Sequence, residues 1–126
     1  MSDETEIREL WQEMAQGWGN AEQFTRVFAH DVEFVTVRGE ELQGRQAVGV
    51  VHAGLFGTVY RDTKLSTEIS LVRMVAHNIA VVQVASTIDP AGPRTHAQAV
   101  VARREGAWTI VAFHNMIPFV PKGVPA

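Results

Sequence analysis

The sequence predicts an α+β protein in which helices come first and a sheet follows. Apolar residues recur at the three- and four-residue spacing of helices through most of the first half of the chain. After residue 63, long runs suited to β-strands alternate with short turns. Consecutive strands joined by short turns form an antiparallel meander, and helices that precede such a sheet cover one of its faces. We expect about three N-terminal helices packed on a strongly bent, mostly antiparallel sheet.

Size and composition limit the classes of partner. A chain of 126 residues, 46% hydrophobic and 20% charged, has the size and balance of one globular domain, so we expect residues 1–126 to form one domain with a loose tail at 118–126. The net charge is −3 and the basic residues are scattered, which argues against nucleic acid as a partner. The acidic start and the lack of a long apolar run favour a cytoplasmic protein without membrane contact.

The first predicted helix has a single apolar face. Its members recur at helical spacing: Ile7, Leu10, Trp11, Met14 and Trp18. Asp3, followed three residues later by Glu6, has the spacing of a capping box at the N-terminus. Gly17 and Gly19 are placed to end the helix.

Two further helices are predicted before the meander. Asn20 is suited to capping a short helix, with Gln23 at the reciprocal position and an apolar face made of Phe24, Val27 and Phe28. Helical spacing returns from Arg45 to Phe56, with His52 on the apolar side and Gly57 as the stop signal.

The strands are predicted from β-branched and aromatic runs. Residues 32–37 form the first strand, and residues 38–41 turn the chain back toward Leu42 and Gln43 as a hairpin. Four longer strands follow at 64–75, 79–88, 95–104 and 108–117.

This order of elements resembles the nuclear transport factor 2-like superfamily, and specifically its SnoaL-like branch. Three segments look like those of SgcJ/EcaC-type proteins, a group known from bacterial gene sets for natural products, including enediyne antibiotics. These segments are the run EGAWTIVAFHN from Glu105 to Asn115, the hairpin from Phe34 to Arg45, and the helix that carries His52 and Phe56.

The resemblance implies a cone-shaped fold whose helices and bent sheet enclose an apolar pocket, commonly in a homodimer. Relatives of this fold include polyketide cyclases, ketosteroid isomerase and limonene epoxide hydrolase, together with proteins that catalyse nothing, so the fold alone does not settle function. We expect the homodimer to form through the other face of the sheet, where Val111 and Phe113 would otherwise be exposed.

Two histidines are the candidate catalytic groups. His114 shares the strand alternation of Trp108 and Ile110, so it is expected to project into the pocket and act as acid or base near neutral pH. His52 is expected to face inward from its helix and to hold a polar atom of the ligand or act with His114. A strand-end histidine bonded to backbone or water and a paired core histidine are the respective structural alternatives, and both stay open.

Asp31 is a weaker candidate base. A carboxylate in an apolar pocket has a raised pKa and can take a proton from carbon, as in ketosteroid isomerase. Its position after the second helix favours a turn instead.

Aromatic residues are expected to form the pocket wall. Those predicted to line or surround it are Trp11, Trp18, Phe34, Phe56, Trp108 and Phe113. Ligand contact is expected from Trp11, Trp18, Phe34 and Phe56, and Asn115 is expected to orient a carbonyl or water.

No cofactor or metal site is indicated. The chain has no cysteine and its five histidines lack metal-ligand spacing. The segment from Gly39 to Gln46 imitates a phosphate loop at both glycines but lacks its lysine and hydroxyl.

The sequence therefore favours a pocket that cyclises or isomerises an apolar, polyketide-like small molecule by proton transfer. A noncatalytic carrier of a reactive product is the alternative, and an interaction module with a vestigial, filled pocket is a third.

Overall fold

The computed structural model describes residues 2–90, 92–119 and 123. In this part of the chain the helices are α1 (Asp3–Gln16), α2 (Ala21–Phe24) and α3 (Arg45–Phe56), with a 3₁₀ turn at Thr25–Val27. The strands are β1 (Phe28–Val35), β2 (Glu41–Gln43), β3 (Lys64–Ala76), β4 (Ile79–Asp89), β5 (Arg94–Arg104) and β6 (Ala107–Met116). The predicted α+β class is confirmed, and each meander strand agrees with its predicted range to within one residue at either end.

The six strands form one open, mixed sheet in the order β2-β1-β6-β5-β4-β3. Strands β3 to β6 are the predicted antiparallel meander, and β2 forms the predicted hairpin with β1. Strand β1 lies parallel to β6, so the N-terminal hairpin extends the sheet made by the C-terminal half. The three helices pack on one face of this sheet, which we call the inner face, and the core lies between them.

The capping box predicted at the first helix is wrong. Ser2 is the N-cap, and its hydroxyl accepts a hydrogen bond from the backbone N–H of Thr5. Asp3 is already helical, so its carboxylate is free to reach the sheet. There Oδ1 accepts hydrogen bonds from Trp108 Nε1 at 3.3 Å and from Arg103 Nη1 at 3.4 Å, and it ties the start of α1 to β5 and β6.

The second helix is shorter than its apolar residues predict. Asn20 caps it as expected, accepting from the backbone N–H of Gln23. Phe28, expected on the helix, instead opens β1, because it pairs with Ile110 of the parallel strand β6. Strand β1 consequently begins four residues before the predicted start.

A β-bulge at Val111 decides which residues of β6 face inward. Val101 of β5 pairs with Ile110, and Val100 pairs with Ala112. Val111 is therefore an extra residue of β6 without a partner on β5. Such an extra residue shifts the side-chain alternation by one. Ile110 and Phe113 are therefore both buried, and His114 lies on the outer face opposite the exposed Gln98.

The bulge corrects two expectations. His114 does not project into the pocket, and Phe113 is 8% exposed rather than presented on the sheet's outer face. The centre of that outer face is polar, since Gln83 Nε2 donates to Gln98 Oε1 at 3.0 Å.

The predicted tail lies mostly outside the described residues. Pro118 and Phe119 follow β6 without helix or strand and are exposed, whereas residues 120–122 and 124–126 are not described. None of the described helices is long and apolar enough to cross a membrane.

We expect the substitution Asp3→Ala to lower the free energy of unfolding by about 1 kcal/mol, because it removes a partly exposed ion pair and the acceptor of the Trp108 indole. Glu9→Ala, on the exposed side of the same helix, is the control and should change stability by less than about 0.5 kcal/mol. Equal urea midpoints for the two variants would show that the contact of α1 with the sheet does not depend on Asp3.

Candidate functional site

A cavity of about 500 Å³ opens between the helices and the inner face of the sheet. This volume lies within the range of sites that enclose a small organic molecule. Residues from α1, α3, the β1–β2 hairpin and strands β3 to β6 contribute to its wall. Arg38 and Glu40, both exposed, lie where the hairpin borders the cavity and carry opposite charges.

Aromatic rings form the deep part of the wall. Phe34 of β1 and Phe113 of β6 sit opposite each other in the parallel register and stack with ring centroids 4.9 Å apart and planes 10° apart. Trp18 and Phe24 face them from the helical side, with centroids 5.5 Å apart in an edge-to-face pair. Flat, unsaturated ligands gain most from such surfaces, because offset and edge-to-face contacts add to the burial of apolar area.

Two local features hold Trp18 in the wall. Gly17 lets the end of α1 approach α2 closely, since a Cβ there would lie 2.7 Å from the backbone nitrogen of Phe24. The indole Nε1 donates to Thr63 Oγ1 at 2.9 Å, and that hydroxyl donates to the carbonyl of Tyr60 at 2.6 Å. Trp18 is thereby held in place both by the packing of the backbone beside it and by the hydrogen bond of its indole nitrogen.

His52 is the buried polar residue on the helical side of the cavity, and Thr95 is a buried polar residue on the sheet side. The side of α3 that carries His52 faces a box of aromatic rings, and Phe24 is the nearest at 4.6 Å between centroids. The ring nitrogen Nδ1 lies 2.8 Å from the carbonyl oxygen of Val48, so Nδ1 carries the proton and donates it. In the neutral ring Nε2 is then an acceptor, and the one hydrogen bond of His52 with the described residues is made by Nδ1.

Burial keeps His52 neutral. Desolvation lowers the pKa of His52 below its ordinary value, and the hydrogen bond to Val48 opposes that shift only in part. At neutral pH the site therefore presents an unprotonated nitrogen that can accept a hydrogen bond or a proton.

The sheet side of the cavity supplies hydrogen-bond donors. Ser86 and Thr95 lie directly opposite each other on β4 and β5, and both line the cavity. Asn115 also lines the cavity; its Oδ1 accepts from the backbone N–H of Met116, and its amide NH₂ forms no hydrogen bond with the described residues. The hydroxyls of Ser86 and Thr95 form no hydrogen bond with another side chain or with the backbone in the described part of the chain.

Four of the predicted site residues come together in this cavity, and three do not. His52, Trp18, Phe34 and Asn115 line it. Phe56 lies behind Trp18, with ring centroids 4.8 Å apart, and Trp11 is 1% exposed in the core, away from the lining. His114 lies on the outer face, so it is not placed to transfer a proton within the cavity.

Asp31 also lies away from the cavity. It is exposed, and its Oδ1 accepts from Arg104 Nη1 at 2.8 Å. This hydrogen bond holds the pKa of Asp31 below its ordinary value, which is the opposite of what a base for carbon acids needs.

Sequence reasoning missed several lining residues, among them Phe24, Tyr60, Ser86 and Thr95. A signal for Thr95 was present, because it shares the inward alternation of Ala97 and Ala99 on β5 and is a polar residue at a buried position. Its partner Ser86 then follows from the β4–β5 register.

The described residues contain no group of three or more histidine or carboxylate side chains arranged to hold a metal ion.

Solved structures share this architecture. A domain of unknown function with a cystatin-like fold from Nostoc punctiforme superposes with a TM-score of 0.87 at 26% identity, covering 95% of this chain and 80% of that one. A nuclear transport factor 2-like protein of unknown function from Silicibacter pomeroyi matches with a TM-score of 0.72 at 24% identity, over 94% of this chain and 100% of that one. The fold is nuclear transport factor 2-like.

A ketosteroid isomerase-like protein from Erwinia carotovora has the same fold, with a TM-score of 0.77 at 12% identity, over 95% of this chain and 100% of that one. No protein-family model matches the chain, and a search of curated proteins gave no match. The likeness therefore establishes the fold, and the chemistry has to be argued from the cavity.

The lowered pKa of His52 predicts a pH dependence of stability. Below pH 6.5 the unfolded chain takes up a proton at His52 that the folded chain does not, so folding stability falls as the pH drops through this window. The slope for one such proton is at most about 1.4 kcal/mol per pH unit. His52→Gln should lose this part of the slope between pH 7.5 and 5.5 in urea titrations.

His96→Gln is the matched control, because His96 is exposed on the outer face. It should keep the wild-type slope. A His52→Gln variant whose stability falls as steeply as that of the wild type would show that His52 is not held neutral by the fold.

Proposed function

We propose that this protein binds a compact, apolar, unsaturated small molecule and cyclises or isomerises it by proton transfer without a cofactor. One observation carries the proposal. His52, whose Nε2 forms no hydrogen bond with the described residues, lines the same aromatic cavity as Asn115, Ser86 and Thr95, whose donors are likewise unused within that part of the chain. Base and oxyanion donors within one apolar site are what enolisation next to a carbonyl requires.

In the proposed step, a carbonyl oxygen of the ligand lies against the donors of the sheet side. His52 Nε2 takes a proton from the carbon next to that carbonyl, and the electron pair of the C–H bond moves onto the oxygen as an enolate. Hydrogen bonds from Asn115 and the two hydroxyls stabilise the negative charge. Return of the proton from His52 to a different carbon isomerises the ligand. Alternatively, the enolate carbon attacks a second carbonyl of the same molecule and closes a ring, and His52 returns its proton to the alkoxide oxygen that this attack creates.

The lowered pKa of His52 is compatible with this step. A buried imidazole is a weak base toward water, but the imidazolium forms together with a negative enolate in the same low-dielectric cavity. The two charges stabilise each other only while the ligand is bound, so proton transfer is coupled to occupation of the site. His52 takes the role that a buried carboxylate base has in ketosteroid isomerase, since the cavity has no buried carboxylate among its described lining residues.

The resemblance to SnoaL-like and SgcJ/EcaC-type proteins supports a polyketide-type ligand from natural-product biosynthesis. The cavity is in keeping with such a ligand in its volume of about 500 Å³ and in its stacked and edge-to-face aromatic rings. We infer from the same resemblance that the protein acts as a homodimer.

A noncatalytic carrier is the second candidate. Its support is that the deep part of the cavity is apolar and that His52 can also serve as an acceptor for a ligand hydroxyl. A carrier returns its ligand chemically unchanged, which separates the two candidates. A vestigial module predicts a cavity filled by its own side chains, and the open volume argues against it.

The test is thermal denaturation of the wild type, His52→Gln and Asn115→Leu against polyenes, aromatic polyketides and steroids, with each compound recovered and analysed by mass spectrometry and chromatography. A bound compound at a hundred times its dissociation constant stabilises the fold by about 2.7 kcal/mol. We expect the wild type to convert its ligand, His52→Gln to bind it without conversion, and Asn115→Leu to convert it at least about 100-fold more slowly.

His96→Gln, on the outer face, is the control and should behave as the wild type. Conversion by His52→Gln at the wild-type rate would exclude His52 as the base. If a ligand stabilises the wild type and is returned unchanged, the protein is a carrier of that ligand and the proposed catalysis is wrong.

A further inference from the structure

The mouth of the cavity lies between the β1–β2 turn, residues 36–40, and the C-terminal end of α3. Most residues that line the cavity are buried or half-buried, and the exposed ones mark where it meets solvent. These exposed lining residues are Arg38, Glu40, Gly54 and Thr58. The first two belong to the turn, and the other two lie at the end of α3 and just after it. A ligand whose apolar part fills the cavity therefore has its polar end beside this turn.

The turn is held in one conformation by Thr36. The Thr36 hydroxyl accepts hydrogen bonds from the backbone N–H of Arg38 at 3.3 Å and from that of Glu40 at 3.1 Å. The backbone of Thr36 also donates to the carbonyl of Glu40 and accepts from the N–H of Gly39, both at 2.9 Å. Gly39 has a φ of +83°, a left-handed conformation that favours glycine. The backbone that carries Arg38 is therefore fixed before any ligand binds.

Arg38 is the one lysine or arginine among the described residues of the cavity wall. Its guanidinium forms no ion pair with the residues that the structure describes, and neither does the carboxylate of Glu40 on the same turn. A charge beside a low-dielectric, apolar cavity attracts a ligand of opposite charge more strongly than a charge on an open surface does. The planar fork of a guanidinium matches a carboxylate in a bidentate pair.

The donors of the sheet side lie at the same end of the cavity as the turn. Val35, the last residue of β1, pairs with His114 in the parallel register, so the chain enters the turn beside Asn115. Strand β5 pairs with this end of β6 and carries Thr95 there, opposite Ser86 of β4. One end of the cavity thus combines a guanidinium, an amide and two hydroxyls. Such a set of donors binds acceptor oxygens, which a carboxylate and a neighbouring carbonyl supply.

We propose that Arg38 binds a carboxylate of the ligand, and that the substrate is an unsaturated keto acid whose carboxylate and reacting carbonyl lie at the same end of the molecule. This inference rests on the proposed function, because it names the class of ligand for the same cavity. The carboxylate lies at the mouth, the carbonyl lies against the sheet-side donors, and the apolar remainder lies among the aromatic rings.

The two charges at the mouth have different consequences for the ligand. Arg38 neutralises the carboxylate and thereby weakens its repulsion of the enolate that forms nearby. Glu40 lines the same mouth and repels a second negative charge, which favours a monocarboxylate.

Calorimetric titration of matched acids and amides tests the proposal. The probes are 2-naphthyl keto acids with two to four methylene groups between ketone and carboxylate, each compared with its primary amide. We expect the wild type to bind the best of the acids at least about tenfold more tightly than its amide at low salt, because hydrogen bonds between charged groups are the stronger ones. This preference should shrink when the salt concentration is raised to about 0.5 M.

Three charge variants assign the preference to one residue. Arg38→Gln should weaken binding of the acid at least about tenfold and change binding of the amide by less than about twofold. Glu40→Gln removes a like charge from the mouth and should bind the acid at least as tightly as the wild type does. Arg73→Gln, exposed on β3 and outside the cavity lining, is the control for loss of one positive charge and should bind both probes as the wild type does.

Circular dichroism verifies that each variant is folded. A wild type that binds the acids no more tightly than the amides, or binds none of the probes, would overturn the inference. An Arg38→Gln variant that keeps the preference for the acid would overturn it as well.

Deuterium uptake at the methylene group next to the ketone tests the proposed proton transfer separately, by comparison of the wild type with His52→Gln. A preference for the acid that depends on Arg38, without uptake that depends on His52, would support the carboxylate site and contradict the proposed catalysis. Uptake that depends on His52, without a preference for the acid, would support the catalysis and overturn the carboxylate site.

Discussion

The extra residue at Val111 is the constraint on which the site depends. Without it, β6 would keep one alternation from Trp108 to His114 and would turn Phe113 and Asn115 away from the helices. With it, the strand buries Trp108 and Ile110 in its first half and Phe113 in its second. The stacked Phe34–Phe113 pair and the amide of Asn115 reach the cavity only because of this shift. A single bulge therefore places one residue of the aromatic wall, Phe113, and one residue of the polar side, Asn115.

The two sides of the cavity have different chemistry for structural reasons. Helix α3 satisfies Nδ1 of His52 with its own carbonyl at Val48, so that Nε2 is the ring nitrogen without a partner in the described part of the chain. On the sheet side, backbone groups are used up in the ladder, and the inward side chains of β4, β5 and β6 supply the remaining polarity. A buried imidazole without a carboxylate partner costs stability below its unfolded pKa. Titratable side chains whose pKa is shifted by burial in a cavity wall are typical of functional sites.

Much of the fold and part of the site could be predicted from the sequence. Helical spacing placed α1 and α3 with His52 facing inward, and alternation with turn residues gave the four meander strands. His114 was misplaced because a bulge leaves no mark in an alternation pattern, and both phases of β6 contain apolar residues. Asp3 was misassigned because Ser2 precedes it and is an equally good cap. Ser86 and Thr95 became neighbours only through strand register, which the sequence does not specify.

The orientation of the end of β6 can be measured directly, because the chain has no cysteine. His114→Cys and Asn115→Cys each introduce one thiol, and their rates of modification by a bulky thiol reagent report which side chain faces solvent. The structure predicts that Cys at position 114 reacts at nearly the rate of an unfolded chain, and that Cys at position 115 reacts at least about tenfold more slowly until the protein is unfolded. Faster modification at position 115 than at position 114 would contradict the bulge at Val111 and the site built on it.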